Sequence, residues 1–228
     1  MLYPLDRPVW GMLGGRQGHL AAANGTALRI DPRYGPFAAT ADQGEAAQAD
    51  LAGLLRGEGD ELWLVEPEEW PAPPGLQVLR TAPLVQMVAE APAPMGERDA
   101  QAVLLGESDV AEMTALALAT EPGPWGELTH RYGAFYGIRQ DGQLKAMAGI
   151  RMLPGDGFAE VSGVCTWPAW RGQGLAASLI RRVMADIVGR GEVPFLHSYA
   201  GNAGAIALYE SLGFRIRRPM MATMLGKA

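Results

Sequence analysis

The stretch "CTWPAWRGQGLAASLI", Cys165 to Ile180, decides how the chain folds. Its first residues read as the end of an apolar strand, which Pro168 closes because proline cannot continue a central ladder. An amphipathic helix begins just beyond. Leu175, Ala176, Leu179, Ile180, Val183, Met184, Ile187 and Val188 fall in pairs about every 3.6 residues, and Arg181, Arg182 and Arg190 point elsewhere. Gly172 and Gly174 are crowded into the junction between strand and helix. Glycines at a helix start let backbone N–H groups come close to a ligand, most commonly a phosphate. The question is which phosphate ligand.

Downstream, "VPFLHSYA" reads as a buried strand and "NAGAIALYESLGF" as a helix capped by Asn202 and ended by Gly213. "FRIRRPMMATML" is expected to supply a last strand pair with Pro219 near its turn. Upstream, "FAEVSGVCTW" is a strand and "AFYGIRQDGQLKAMAGIRM" a hairpin about Gln140-Asp141-Gly142, since Asp-Gly is a strong hairpin signal. "AVLLGESDVAEMTALALAT" suggests a strand and then a helix entered at Ser108, with Val110, Met113, Leu116 and Leu118 near one face. Before the Ala/Pro-rich segment Ala89 to Asp99, the pattern is coarser. "PVWGMLGGRQGHLAAA" reads as a helix broken by glycines, "TALRID" and "ELWLVEP" as strands, "EAAQADLAGLLRG" as a helix, and "GLQVLRTAPLVQMVAE" as extended chain. The cluster Gly14 to Gly18 follows no strand and precedes no Lys-Ser/Thr, so it is a turn rather than a phosphate loop.

We therefore divide the chain into residues 1–97, a smaller α/β N-terminal half, and residues 98–228, an α/β half built on the strand–loop–helix. The charge is uneven across that boundary. Residues 1–97 carry 6 basic and 13 acidic side chains, net −7; residues 98–228 carry 13 and 12, net +1. Neither half offers a basic stripe interleaved with aromatics, which argues against nucleic acid as a partner. One cysteine, Cys165, and three scattered histidines, His19, His130 and His197, argue against a disulfide framework and against a metal site. No run approaches the roughly 18 apolar residues of a membrane span. The start "MLYPLDRPVWGML" lacks the basic and apolar regions of a secretory signal. The expectation is a cytoplasmic protein without membrane partners, of undetermined oligomeric state.

Gly172-Gln173-Gly174-Leu175-Ala176-Ala177 matches the dinucleotide spacing, but "VPFLHSYA" ends in Tyr199-Ala200 where that fold needs an acid for the ribose. A mononucleotide loop would need Gly-Lys-Ser/Thr, which does not occur. What fits is Arg171-Gly172-Gln173-Gly174-Leu175-Ala176 read as Arg-x-x-Gly-x-Gly/Ala. With "AEVSGVCTWP" before it and "NAGAIALYESLGF" after it, the chain over about residues 100–228 resembles the GNAT superfamily of acyl-CoA-dependent N-acetyltransferases. It is most similar to two-part bacterial members with a divergent N-terminal half. The resemblance implies a mixed, mostly antiparallel sheet flanked by helices, acetyl-CoA (coenzyme A) as co-substrate without a metal, and a small-molecule or peptide amine as acceptor.

The residues it implies follow motif by motif. Arg171, Gly172, Gln173, Gly174, Leu175, Ala176 and Ala177 cradle the pyrophosphate, and Asn202 adds a contact while capping its helix. Val164, Cys165 and Thr166 present backbone groups to the pantetheine arm as if to an added strand. Cys165 alternates with the apolar pattern and is read as a small core residue, not a nucleophile. Tyr209 is expected to donate a proton to the departing thiolate, its bland role being ring packing. Glu160, in the fourth strand of the resemblance, is expected to be the base for the ammonium. His197 reads as a core histidine and His130 as a contact on the substrate side. Trp125, Trp167 and Trp170 either wall the acceptor pocket or staple loops. Two activities remain open: acetyl transfer to an amine in a ternary complex, or a non-catalytic acyl-CoA-binding module. A donor other than acetyl-CoA is also open. The acid-rich first half is expected to overhang the acceptor side and draw in a cationic amine.

Overall fold

The structure is a computed structural model and describes residues 3–228. The chain opens with helix α1 (Pro8–Leu13), whose Pro8 sits at the first helical position where its missing N–H costs nothing. A glycine-rich turn follows. Strands β1 (Ala21–Asn24), β2 (Ala27–Ile30) and β3 (Ala38–Thr40) form a small antiparallel sheet, and α2 (Glu45–Ala52) packs on it. The expected early helix thus stops at Leu13, and its last three residues, Ala21, Ala22 and Ala23, lie in β1.

All later strands join one eight-stranded sheet. In chain order they are β4 (Leu62–Glu66), β5 (Leu76–Val88), β6 (Val103–Leu105), β7 (Phe135–Gln140), β8 (Gln143–Ile150), β9 (Phe158–Thr166), β10 (Val193–Tyr199) and β11 (Arg215–Lys227). Their spatial order is β4-β11-β5-β10-β9-β8-β7-β6. β4 and β5 come from the first half of the chain, so the sheet runs across the 97/98 boundary. Helices α3 (Val110–Thr120), α4 (Leu175–Gly189) and α5 (Ala203–Ser211) complete the fold.

Two expectations for local structure change. The helix expected to enter at Ser108 is preceded by a 3₁₀ turn, Glu107–Asp109, and Asp109 accepts from the Gly106 N–H. Leu118 faces solvent, 67% exposed, and Ala117 takes its place beside Met113 and Leu116. The expected final strand pair is one continuous strand. β11 pairs with β5 from Arg215 to Lys227 with a bulge near Arg217, while β4 covers its other edge only from Met221 onward. Pro219 lies outside that covered span, where its missing N–H breaks no bond to β4.

The apolar stripe of α4 (Leu179, Ile180, Val183, Met184, Ile187) is fully buried against Ile138, Ala146, Ala148 and Val161 on one face of the sheet. On the other face α3 packs Met113 and Leu116 on Phe135, Leu144, Met147 and Cys165. Each such fully buried aliphatic side chain contributes about 1.5–3 kcal/mol, so these two layers hold the hairpin and β9 rigidly in place. α1 closes a further core over Val65, Leu84 and Met224.

Candidate functional site

Among the described residues β9 and β10 are the only two strands of the large sheet that pair in parallel, and they pair only at Phe158–Glu160 with Val193–Phe195. Beyond Glu160 the two strands separate, leaving the β10-facing edge of Val161 to Thr166 without a strand partner. The cause lies in β9. Its register against β8 shifts between Met147↔Cys165 and Gly149↔Ser162, and Gly163 sits there at φ +61°. A Cβ on Gly163 would stand 2.8 Å from the Phe135 ring, so only glycine makes this bulge. Sequence reading passed over Gly163 because alternation alone does not mark a bulge.

At the end of β9 the chain turns through Pro168–Trp170 into the Arg171–Ala177 loop. Gly172 and Gly174 have φ of +76° and +78°, and a Cβ on either would meet nothing within 4 Å. No side chain caps α4. Its first N–H groups and the positive end of the helix therefore face open space, as a bound pyrophosphate requires. Leu175 and Ala177 pack into the core beneath the loop, Gln173 is exposed, and Arg171 and Ala176 line a cavity of about 530 Å³. The residues fit coenzyme A. Among the described residues no cluster of His, Cys, Asp and Glu would hold a metal.

The same cavity is lined by Val164, Cys165, Thr166, Asn202 and Tyr209. The Asn202 side chain accepts from the Ala205 N–H at 3.2 Å and caps α5. Thr166 Oγ1 is buried with no hydrogen-bond partner among the described residues. Burial pushes the Tyr209 phenol up to about 12, so it stays protonated and able to donate. It also pushes the Cys165 thiol up to about 12. A thiol so reluctant to ionise is a poor nucleophile.

Glu160 is a different matter. Its carboxylate is inaccessible and takes Nε and Nη2 of Arg151 at 2.8 and 3.0 Å and Nδ1 of His197 at 2.8 Å. Burial by itself would raise its pKa, but the Arg151 charge and the hydrogen bonds from His197 and Arg151 outweigh it and hold the carboxyl at about 2. A carboxylate held that firmly in its ionised form is a poor proton acceptor, and Glu160 does not line the cavity. Its geometry opposes the role of base expected for it and makes it the anchor of Arg151.

The network extends further. Gln86, fully buried, accepts from Arg217 Nη1 at 2.8 Å, which fixes its amide orientation. Its amide nitrogen then donates to the Leu5 carbonyl at 2.8 Å and to His197 Nε2 at 3.1 Å. That makes His197 the Nδ1–H tautomer, with both ring nitrogens engaged. Arg217 also pairs with Asp6 at 2.5 Å. His197 is therefore a satisfied histidine in the cavity wall.

The tryptophans that left two readings open staple loops. Trp125 packs edge-on to Phe135 and donates to Thr114, Trp167 donates to the Leu144 carbonyl, and Trp170 lies under the Lys145 ammonium at 4.6 Å. None of them lines the cavity, and neither does His130, which meets Glu107. Apolar lining comes instead from Phe37, Trp63, Val65, Leu84, Met152 and Met224, none of which carried a motif. Nor do the acids of residues 1–97 reach the cavity. Asp6, Asp31, Asp60 and Glu66 are taken up by Arg217, Arg33, Arg29 and Arg7. The one carboxylate in the wall is Glu121, at the exposed C-terminus of α3 with a left-handed φ of +47°.

Residues 135–222 match the family model described as FR47-like protein. In Escherichia coli strain K12 the [ribosomal protein bS18]-alanine N-acetyltransferase is 33% identical over 114 residues, covering 46% of this chain and 75% of that protein. A crystal structure from Novosphingobium aromaticivorans, assigned to the GNAT acetyltransferase family, is 62% identical with a TM-score of 0.95 over the whole of both chains. A GCN5-related N-acetyltransferase from Kribbella flavida shares the fold at 22% identity, with a TM-score of 0.59 over 96% of this chain and 92% of that one.

Proposed function

The chain belongs to the GNAT superfamily of N-acetyltransferases, and from that premise we propose that it moves an acetyl group from acetyl-CoA to an amine by direct attack. The observation that carries the reading is the loop: two positive-φ glycines with empty space at their Cβ positions, at the open end of α4. The Arg171–Ala177 backbone and Arg171 hold the pyrophosphate, and Asn202 flanks it. The unpaired edge of β9 at Val164, Cys165 and Thr166 takes the pantetheine amides as an added strand.

In the reaction a C–N bond forms at the thioester carbonyl and the C–S bond breaks. Tyr209 gives its phenolic proton to the departing thiolate and regains one from the proton that the attacking nitrogen sheds as it becomes the amide. The ammonium must first lose a proton, and with Glu160 committed to Arg151 the carboxylate in reach is Glu121, acting through water. The 1–97 and 98–228 halves divide the labour: the second binds the cofactor, and Phe37, Trp63, Val65 and Leu84 of the first face the acceptor. A small-molecule or peptide amine is the acceptor, and the cytoplasm, where Cys165 stays reduced, is the setting.

The test is thiol release from acetyl-CoA across a panel of amines, with Tyr209→Phe beside the parent protein. We expect release by the parent and a fall of about 10²- to 10⁴-fold in the rate constant for the variant, at unchanged acetyl-CoA affinity. Ligand-dependent stabilisation without release would identify a binding module instead.

A further inference from the structure

The cavity is lined by two unlike sets of residues: the polar groups of the proposed cofactor side, and the apolar Phe37, Trp63, Val65, Leu84, Met152 and Met224. Beside the apolar set the Arg151 guanidinium lies over the Phe37 ring, 4.9 Å to its centroid, with its side chain 12% exposed. Glu160 takes Nε and Nη2. Nη1 has no hydrogen-bond partner among the described residues and stands 3.7 Å from where a Gly123 Cβ would be, beside the Thr120–Pro124 loop that borders the cavity.

Nη1 is not among the fully buried polar atoms left without a partner, so solvent reaches it from the cavity, and a ligand oxygen beside it takes the place of that water. Glu160 already neutralises the guanidinium, so a carbonyl oxygen suffices and a carboxylate is accommodated. A hydrocarbon chain laid against Nη1 would strip that water and return no acceptor, at a cost on the order of 1–3 kcal/mol. This argues that the apolar lining receives a side chain of the acceptor and not the tail of a long acyl donor. Glu121 supplies the opposite charge for an ammonium in the same wall.

Resting on the transferase reading above, we infer that the acceptor is an α-amino-acyl group with an apolar side chain: the side chain fills the Phe37–Met224 chamber, Arg151 Nη1 donates to the oxygen next to the α-carbon, and Glu121 faces the amine. A free amino acid and a peptide N-terminus share this chemistry.

The experiment uses the full chain with saturating acetyl-CoA and compares L-phenylalaninamide, L-phenylalanine, a tetrapeptide beginning with phenylalanine, 2-phenylethylamine, which lacks the carbonyl, and glycinamide, which lacks the side chain. We expect kcat/KM for phenylalaninamide to exceed that for either truncated amine at least tenfold. Phenylalaninamide should also raise the melting temperature of the coenzyme A complex where 2-phenylethylamine does not. Leu84→Trp, which fills the chamber, should raise KM for phenylalaninamide at least tenfold at unchanged acetyl-CoA affinity, a control that also reports folding. Preference for free phenylalanine or for the tetrapeptide tells the two sources apart, and either supports the inference.

Equal rates for 2-phenylethylamine and phenylalaninamide would overturn it. So would a preference for octanoyl-CoA over acetyl-CoA that Leu84→Trp abolishes, because the chamber would then hold the acyl chain. Failure of the underlying reading looks different: no acetyl-CoA binding and no thiol release with any amine, which takes both down.

Discussion

The Arg171–Ala177 loop and the Arg151–Glu160–His197 cluster both touch the same cavity, yet they are built in opposite ways. The loop is exposed, makes its site from backbone N–H groups and positive-φ glycines, and lies within seven consecutive residues. The cluster is buried, makes its site from charged side chains, and draws on Arg151 just past β8, on β9, β10, β5 and β11, and on the segment before α1 through Gln86, Arg217 and Asp6. A backbone site tolerates changes of side chain but not of φ. A side-chain network tolerates neither loss of a partner nor loss of a charge.

The sharpest way to break the comparison is Glu160→Gln. If Glu160 anchors a buried guanidinium, the substitution leaves Arg151 unpaired and should cost about 3–5 kcal/mol of unfolding free energy, read by urea titration. Its pH dependence has a definite sign. The folded carboxyl is held at about 2 against an ordinary 4.5, so the stabilisation is complete above 4.5 and is lost as the pH falls towards 2. The variant should lose this part of the acid limb. A fully stable Glu160→Gln protein with a slowed reaction and a shifted pH–rate profile would return Glu160 to the role of base.

Gly174→Val probes the other region. A branched side chain at φ +78° costs about 1–2 kcal/mol in strain and places atoms in the space proposed for the pyrophosphate. Acetyl-CoA affinity should fall at least a hundredfold, about 2.7 kcal/mol, in a protein that still melts cooperatively. Unchanged calorimetric binding would refute the cradle. The smallest effect is expected at Cys165→Ala, which removes a buried sulfur from the α3 face of the sheet. Stability should change by about 1 kcal/mol and the single-turnover rate should hold. A lost rate would make the thiol a nucleophile.

Much of the fold was legible because its signals are local. Asp141-Gly142 set the β7–β8 turn, with both residues at positive φ. Asn202 and Gly213 bounded α5, and the 3.6-residue stripe of α4 named its buried face. Pro219 misled because a strand tolerates proline wherever its neighbour on that edge has ended, and pairing lengths are not written in the strand itself. Leu118 misled because Ala117 and Leu118 are adjacent on a helix, and only the packed sheet decides which of them is covered.

The candidate site divides along the same line. The conformation of the Arg171–Ala177 loop was legible in the sequence alone, since φ and N–H direction are set by a residue and its immediate neighbours. The Arg151–Glu160 pair, the engaged His197 and the apolar wall of Phe37, Trp63, Leu84 and Met224 were decided only by the tertiary structure. The side chains that meet there lie as far apart in the chain as Asp6 and Arg217, and the burial that sets Glu160's charge and strips the acids of the first half from the cavity exists only once β5, β10 and β11 have paired.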